Sequence, residues 1–136
     1  MENSIIEICR QWRHEKIQLN PRASPDLISE VEASIGFTFP AGFKELYIEV
    51  NGFSDCDWRE NMFSIWPVEK ILEEYRGRTD HEFIGFSDFL IHSHDIGFLK
   101  SQPGVFKTYD GETYVFVAAS FLDAVKLINA DSALIY

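Results

Sequence analysis

The segment of this chain whose residue types come nearest to chemistry is His92-Ser93-His94-Asp95. Residues two apart on an extended strand project to the same face, so an extended backbone here aims both imidazoles at one metal ion. A zinc site needs a further ligand, such as His81 or Asp88, and local spacing fixes none. The competing reading makes one histidine a hydrogen-bonded loop residue and leaves the other exposed. Asp88 is either a turn residue accepting from backbone amides or a general base. Cys56 with a distant histidine is a conceivable nucleophile pair, and otherwise a plain free thiol. Glu30 and Glu32, two apart on a helix, leave on different sides and form no carboxylate pair. No GxSxG, HExxH, P-loop or GxGxxG motif occurs. The expectation is therefore no catalytic residue, no metal and no cofactor.

A second group of residues suits binding. Residues 53–61 carry Asp55, Asp57 and Glu60 against Arg59 alone, with Trp58 among them. An aromatic ring amid acids fits an interface anchor with a charged rim, or else a ring folded back onto the domain. From residue 45 to 82 ten acids stand against four bases, a net of −6, more than half the chain's −10. Gathered on one face they would steer a basic partner and speed encounter; dispersed, they are a solvated exterior. The candidate partner-binding residues are Asp55, Asp57, Trp58, Glu60, Glu73 and Glu74.

The whole composition sets the limits. A chain of 136 residues, 46% hydrophobic and 15% aromatic, has the length of one domain and the side chains for a real core. The net charge of −10 argues against nonspecific binding to nucleic acid or an anionic membrane. No apolar run approaches the roughly 20 residues of a membrane span, and the opening Met1-Glu2-Asn3 is polar. With two cysteines and no CxxC, a reduced cytoplasmic protein with free thiols is expected. The oligomeric state is open.

The elements that must position these groups follow from periodicity. Residues 4–16 read as a helix with Ser4 and Glu7 at capping-box spacing and Ile5, Ile8, Cys9 and Trp12 on one face. Residues 17–24 connect it onward. Ser24-Pro25 opens a second helix, with Ile28, Val31 and Ile35 buried and Gly36 ending it. After an extended 37–39, Pro40 opens a third, with Phe43, Leu46, Tyr47 and Val50 inward and Asn51-Gly52 as its stop. A strand over 62–66 leads to a helix from Pro67, with Val68, Ile71, Leu72 and Tyr75 inward and Glu69, Glu73 and Glu74 outward. Trp12 is predicted in the core and Trp66 half-buried. Short strands follow at 83–86, 89–91 and 96–99. The runs 105–109 and 113–117 flank Asp110-Gly111, the signal for a type I′ hairpin. Ser120 caps a last helix that buries Phe121, Ala124, Val125 and Ile128. The class is α+β: a single domain over 1–136, with 1–24 an N-terminal helix plus connector. The expected core is a curved, mainly antiparallel or mixed sheet of about five to six strands, packed with N-terminal helices and a C-terminal helix.

The order of these pieces resembles the SUKH superfamily, in particular its Smi/Knr type. Residues 28–32, Ile35-Gly36, Phe39-Pro40, 43–46 and Val50-Asn51-Gly52 are similar to the family's opening, and 62–71 to its following strand and helix. Residues 83–91 resemble one subgroup, and Gly104-Val105 and Ser120-Phe121 fit the last strands and closing helix. The likeness covers roughly 25–130. Phe39 stands where the family commonly has Leu, and the aromatic run 86–89 where many members carry a Gly/Asp-rich acidic turn.

The resemblance implies a non-catalytic binding protein. Bacterial members are typically cytosolic immunity proteins that neutralise a cognate polymorphic toxin, often a nuclease; eukaryotic relatives are regulators or scaffolds. The family has no shared catalytic set. The expected partner is a cognate toxin or other basic protein, with no nucleic acid and no membrane. The alternatives are a regulatory or scaffold domain without a toxin, and a small metal-dependent enzyme using His92 and His94.

Overall fold

The computed structural model of the chain describes residues 2–54, 57–79 and 81–136, and only the backbone of residues 2 and 3. Three helices come first: α1 (Glu2–His14), α2 (Pro25–Ile35) and α3 (Ala41–Tyr47). Strand β1 (Phe63–Ile65) and helix α4 (Val68–Arg76) follow. The chain then runs through β2 (Phe83–Phe89), β3 (His94–Leu99), β4 (Val105–Thr108) and β5 (Val115–Ala118) to α5 (Phe121–Asn129) and a 3-10 turn, Ala133–Ile135. The strands form one sheet in sequence order, every neighbour antiparallel. The α+β class and the strand count agree with the sequence, and the sheet is wholly antiparallel.

The helix boundaries have local causes. The Ser24 hydroxyl accepts from Leu27 N, Pro25 opens α2, and Gly36 closes it at φ 65°, a conformation that costs glycine little. Ser120 caps α5 through Asp123 N. The helix of 4–16 begins earlier, at Glu2, so Ser4 lies inside it and forms no capping box.

The buried faces of α3 and α5 meet the sheet at an aromatic centre. Phe39 stacks on Phe43 and Phe43 on Tyr47, each pair with centroids 4.0 Å apart. Phe86, Phe98 and Phe121 close around them. Burying one such side chain stabilises the fold by roughly 1.5–3 kcal/mol. The Tyr47 hydroxyl donates to the Trp66 carbonyl at 2.6 Å, and burial pushes its pKa upward. Trp12 is fully buried, its indole N–H given to Asn129 Oδ1. Trp66 is also fully buried rather than half-buried, because its indole N–H reaches Asp88 inside the fold.

Two expected strand boundaries move. Residues 89–91 form no strand of their own: β2 runs to Phe89 and residues 90–93 make the turn into β3. The Asp110-Gly111 link is longer than a two-residue turn. Only Gly111 has positive φ, while the Asp110 carboxylate accepts from Glu112 N and Thr113 N and builds a side-chain-capped turn.

Candidate functional site

The two histidines are not held for one ion. His92 lies in the β2–β3 turn, its ring 5.5 Å from Trp66 and its Nδ1 2.9 Å from Asp95 Oδ1. His94 lies on β3 and is buried; its Nε2 donates to the Ile135 carbonyl at 2.7 Å, and its ring packs on Phe63, Phe89 and Tyr109. The extended backbone assumed for 92–94 is absent because His92 sits at φ 64°. Among the described residues, no three His, Cys, Asp or Glu side chains form a group that could hold a metal ion.

Asp88 has an architectural task. Its Oδ1 accepts from Ser64 Oγ at 2.5 Å and from the Trp66 indole at 2.6 Å, and its Oδ2 accepts from His92 N at 2.8 Å. Burial pushes the carboxyl pKa up, but these hydrogen bonds outweigh it and hold the pKa below its usual range. The carboxylate ties β1, Trp66 and the β2–β3 turn together.

The expected binding residues are spread over two elements. Asp55 and Cys56 lie outside the described residues, as does Asp80. Asp57 spends its carboxylate on Gln18 N (2.7 Å) and Trp58 N (3.0 Å). Trp58 is exposed at 37% and Glu60 is exposed beside it. On α4, Glu73 is exposed, while Glu74 Oε1 stands 3.7 Å from His92 Nε2. Their loop and helix have different supports: the loop is bound through Arg59 to Glu15, just after α1, and to α5, and α4 packs on β2 and α2. Other acids of the stretch have internal partners as well: Glu69 accepts from Asn51, and Glu82 accepts from Ser101.

Arg59 is not a surface counter-charge. It is buried, with Nε and Nη2 donating to Glu15 at 2.9 and 2.8 Å and Nη1 to the Ile128 carbonyl at 2.8 Å. Burial acts to raise the Glu15 pKa, but hydrogen bonds from Arg59 and Gln11 lower it overall. One buried cation thus pins the 57–62 loop to the end of α5, where the last carbonyls favour positive charge.

The sequence reading missed the apolar surface at one end of the sheet. The β2–β3 turn and the β4–β5 link meet there, with the segment 132–136 folded against them. Tyr136 packs on Phe63 and Phe89 at 5.5 and 5.3 Å, Tyr109 on His94 at 4.9 Å, and Lys107 Nζ donates to the Leu134 and Tyr136 carbonyls. Leu90, Ile91, Tyr109, Val115, Leu134 and Tyr136 are all exposed there. Period-two alternation could not find them, because three lie in turns and two in the closing segment. The one available signal was Leu90-Ile91 between Asp88 and His92, two aliphatic residues where a polar turn is usual.

A cleft of about 560 Å³ lies elsewhere, between the α2–α3 connection, the β3–β4 link and the start of α5, lined by Phe37, Phe98, Leu122 and Lys100 among others. Among the described residues, no helix is long and apolar enough to cross a membrane.

Comparison with known proteins gives one family. The model of the SMI1 / KNR4 family (SUKH-1) matches residues 22–126, from the connector before α2 to the middle of α5. No curated protein sequence matches the chain.

Proposed function

The chain belongs to the SMI1 / KNR4 family (SUKH-1), whose members are commonly immunity proteins, and we propose that it is a cytoplasmic immunity protein that neutralises a cognate toxin by binding it. The family match over residues 22–126 carries this reading. The side chains fit it: Asp88, Asp57 and His94 hold turns and strands, and aromatic, aliphatic and acidic groups are exposed at the end of the sheet where the β2–β3 turn and the β4–β5 link meet. Such a surface suits recognition of a basic protein. The block is stoichiometric cover of the toxin and not chemistry performed on it.

The test is co-expression with the toxin domain encoded in the adjoining gene. Cells carrying both survive and the two proteins co-purify one to one. If no toxin gene adjoins this one, or if co-expressed cells die as fast as cells with toxin alone, the reading fails and a regulatory scaffold of the same fold replaces it.

A further inference from the structure

We propose that the apolar end of the sheet, centred on Leu90 and Ile91 and flanked by Tyr109, Val115, Leu134 and Tyr136, is the docking surface for a basic protein partner. This rests on the binding reading above and names the surface that serves it.

Three observations combine. The first is concentration. These six side chains are exposed, Ile91 at 71%, and contacts at the same end of the sheet tie their segments together. The Tyr136 ring lies on Phe89, the residue before Leu90; the Tyr109 ring lies on His94 across the turn. Val115 pairs in register with Lys107, whose ammonium is held by the carbonyls of Leu134 and Tyr136. Exposed apolar side chains gathered at one end of a sheet suit an interaction site, whereas scattered single residues do not.

The second is backbone strain. Leu90, Ile91 and His92 have φ of 48°, 52° and 64°. Three consecutive non-glycine residues in the left-handed region are rare, and a β-branched one is an outlier. The turn is over-determined by its surroundings: Leu90 N donates to the Met62 carbonyl at 2.9 Å, His92 N to Asp88 at 2.8 Å and Ser93 N to the Phe89 carbonyl at 2.8 Å. The fold spends stability to hold two aliphatic side chains outward in one fixed conformation. A rigid anchor loses little freedom on binding, which is how a small apolar centre reaches high affinity.

The third is charge. Glu60, Asp110, Glu112 and Asp131 are exposed: Asp131 accepts from the Tyr136 hydroxyl, Asp110 and Glu112 follow Tyr109 in the β4–β5 link, and Glu60 is two residues from Met62, whose carbonyl holds Leu90 N. Asp110 keeps its charge to about pH 2, because the Thr113 and Glu112 amides donate to it. On the cationic side, Lys107 is engaged by two carbonyls, and Arg78 reaches the Gly111 carbonyl at 3.3 Å with its guanidinium over Phe83. An apolar centre with an acidic rim selects a basic surface carrying apolar protrusions, and disfavours a second copy of a chain with net charge −10.

The probe is the purified toxin domain of the adjoining gene, titrated with wild type, Ile91→Asp, Leu134→Asp and a control, Ile6→Asp, on the outer side of α1. Thermal melts verify folding, and Ile91→Gly, which keeps the turn and removes the side chain, serves if the aspartate variants unfold. The expected result is binding weakened about tenfold or more by each patch variant and less than about twofold by Ile6→Asp. Glu60→Lys and Glu112→Lys slow association at low salt. Unchanged affinity in both patch variants overturns the surface while leaving the toxin reading intact. Failure of wild type to bind overturns that reading, and sedimentation then separates two cases. A wild-type dimer dispersed by Ile91→Asp makes the patch a contact between copies, and a monomer throughout leaves it no partner; both reject the basic partner.

Discussion

The side chain of Asn51 caps a helix that begins seventeen residues later. Its Oδ1 accepts from Val68 N, the first residue of α4, at 2.9 Å, and its Nδ2 donates to Glu69 Oε1 at 2.8 Å. Pro67 precedes α4 and has no side chain to cap it, so Asn51 supplies the missing acceptor. Asn51→Ala leaves a buried amide unpaired and is expected to cost about 1–3 kcal/mol, read as a lower denaturant midpoint with unchanged slope. Glu69→Gln keeps an acceptor and costs less.

Gly52 completes the same joint. It has φ 67°, and a Cβ there would lie 2.6 Å from Pro67 N and the Trp66 carbonyl carbon. Gly52→Ala is therefore expected to destabilise by more than about 2 kcal/mol, because both strain and backbone overlap oppose it. Thermal unfolding checks this. A melt within a degree of wild type would contradict it.

These two residues show what the sequence could and could not disclose. Asn51-Gly52 was read as the stop of the third helix, but α3 ends at Tyr47 with Ile48 as its cap, and the dipeptide instead shapes the joint that follows. Its capping of α4 was not legible, since that bond joins residues that meet only in the folded chain. Ser24, Gly36 and Ser120 act locally and were readable. Arg59 looked like the lone counter-charge of an acidic loop, yet its carbonyl partner comes from α5 and its carboxylate partner, Glu15, from the turn after α1. The expected binding residues that the structure describes fall on two elements, and the apolar end of the sheet emerged only when turns distant in sequence came together.

Removing Arg59 tests the loop's attachment. Arg59→Ala removes the guanidinium's bonds to the Ile128 carbonyl and Glu15, which keep Asn61 and Gln11 among their donors, at an expected cost of about 2–4 kcal/mol, whereas Glu15→Gln retains hydrogen bonding and costs about 1 kcal/mol. Equilibrium denaturation measures both. Because Glu15 has a lowered pKa in the folded state, its contribution is present above the ordinary value of 4.5 and is lost as pH falls through the lower folded value. Glu15→Gln flattens the stability profile in that acid window.

His94 gives a second pH dependence. Burial lowers its pKa from 6.5; the hydrogen bond to Ile135 and the fields of Asp95 and Asp88 act to raise it, and Lys107 acts to lower it. The unfolded chain takes the proton more readily, so stability falls as pH drops through 6.5 toward the folded value. Asp95, raised above 3.8 by burial, acts in the opposite sense at the acid end. His94→Gln is expected to lose the slope just below pH 6.5, measured as denaturant midpoint against pH.

Ile91→Gly separates stability from binding. Glycine relieves a left-handed conformation that costs roughly 1–2 kcal/mol, less roughly 0.5–1 kcal/mol of added chain entropy, and the exposed side chain contributes little packing. The variant is expected to melt at or above the wild-type temperature while binding its partner more weakly. A gain in both would show that the turn is not held for recognition.

Stoichiometric cover is tested most directly by titrating the adjoining gene's toxin domain, with its own activity as the readout. It predicts that activity falls linearly and ends at one equivalent of this protein, with both chains recovered intact. Full activity in the presence of excess protein contradicts it, as does inactivation by a small fraction of an equivalent, which would require catalysis from a chain read here as a binder.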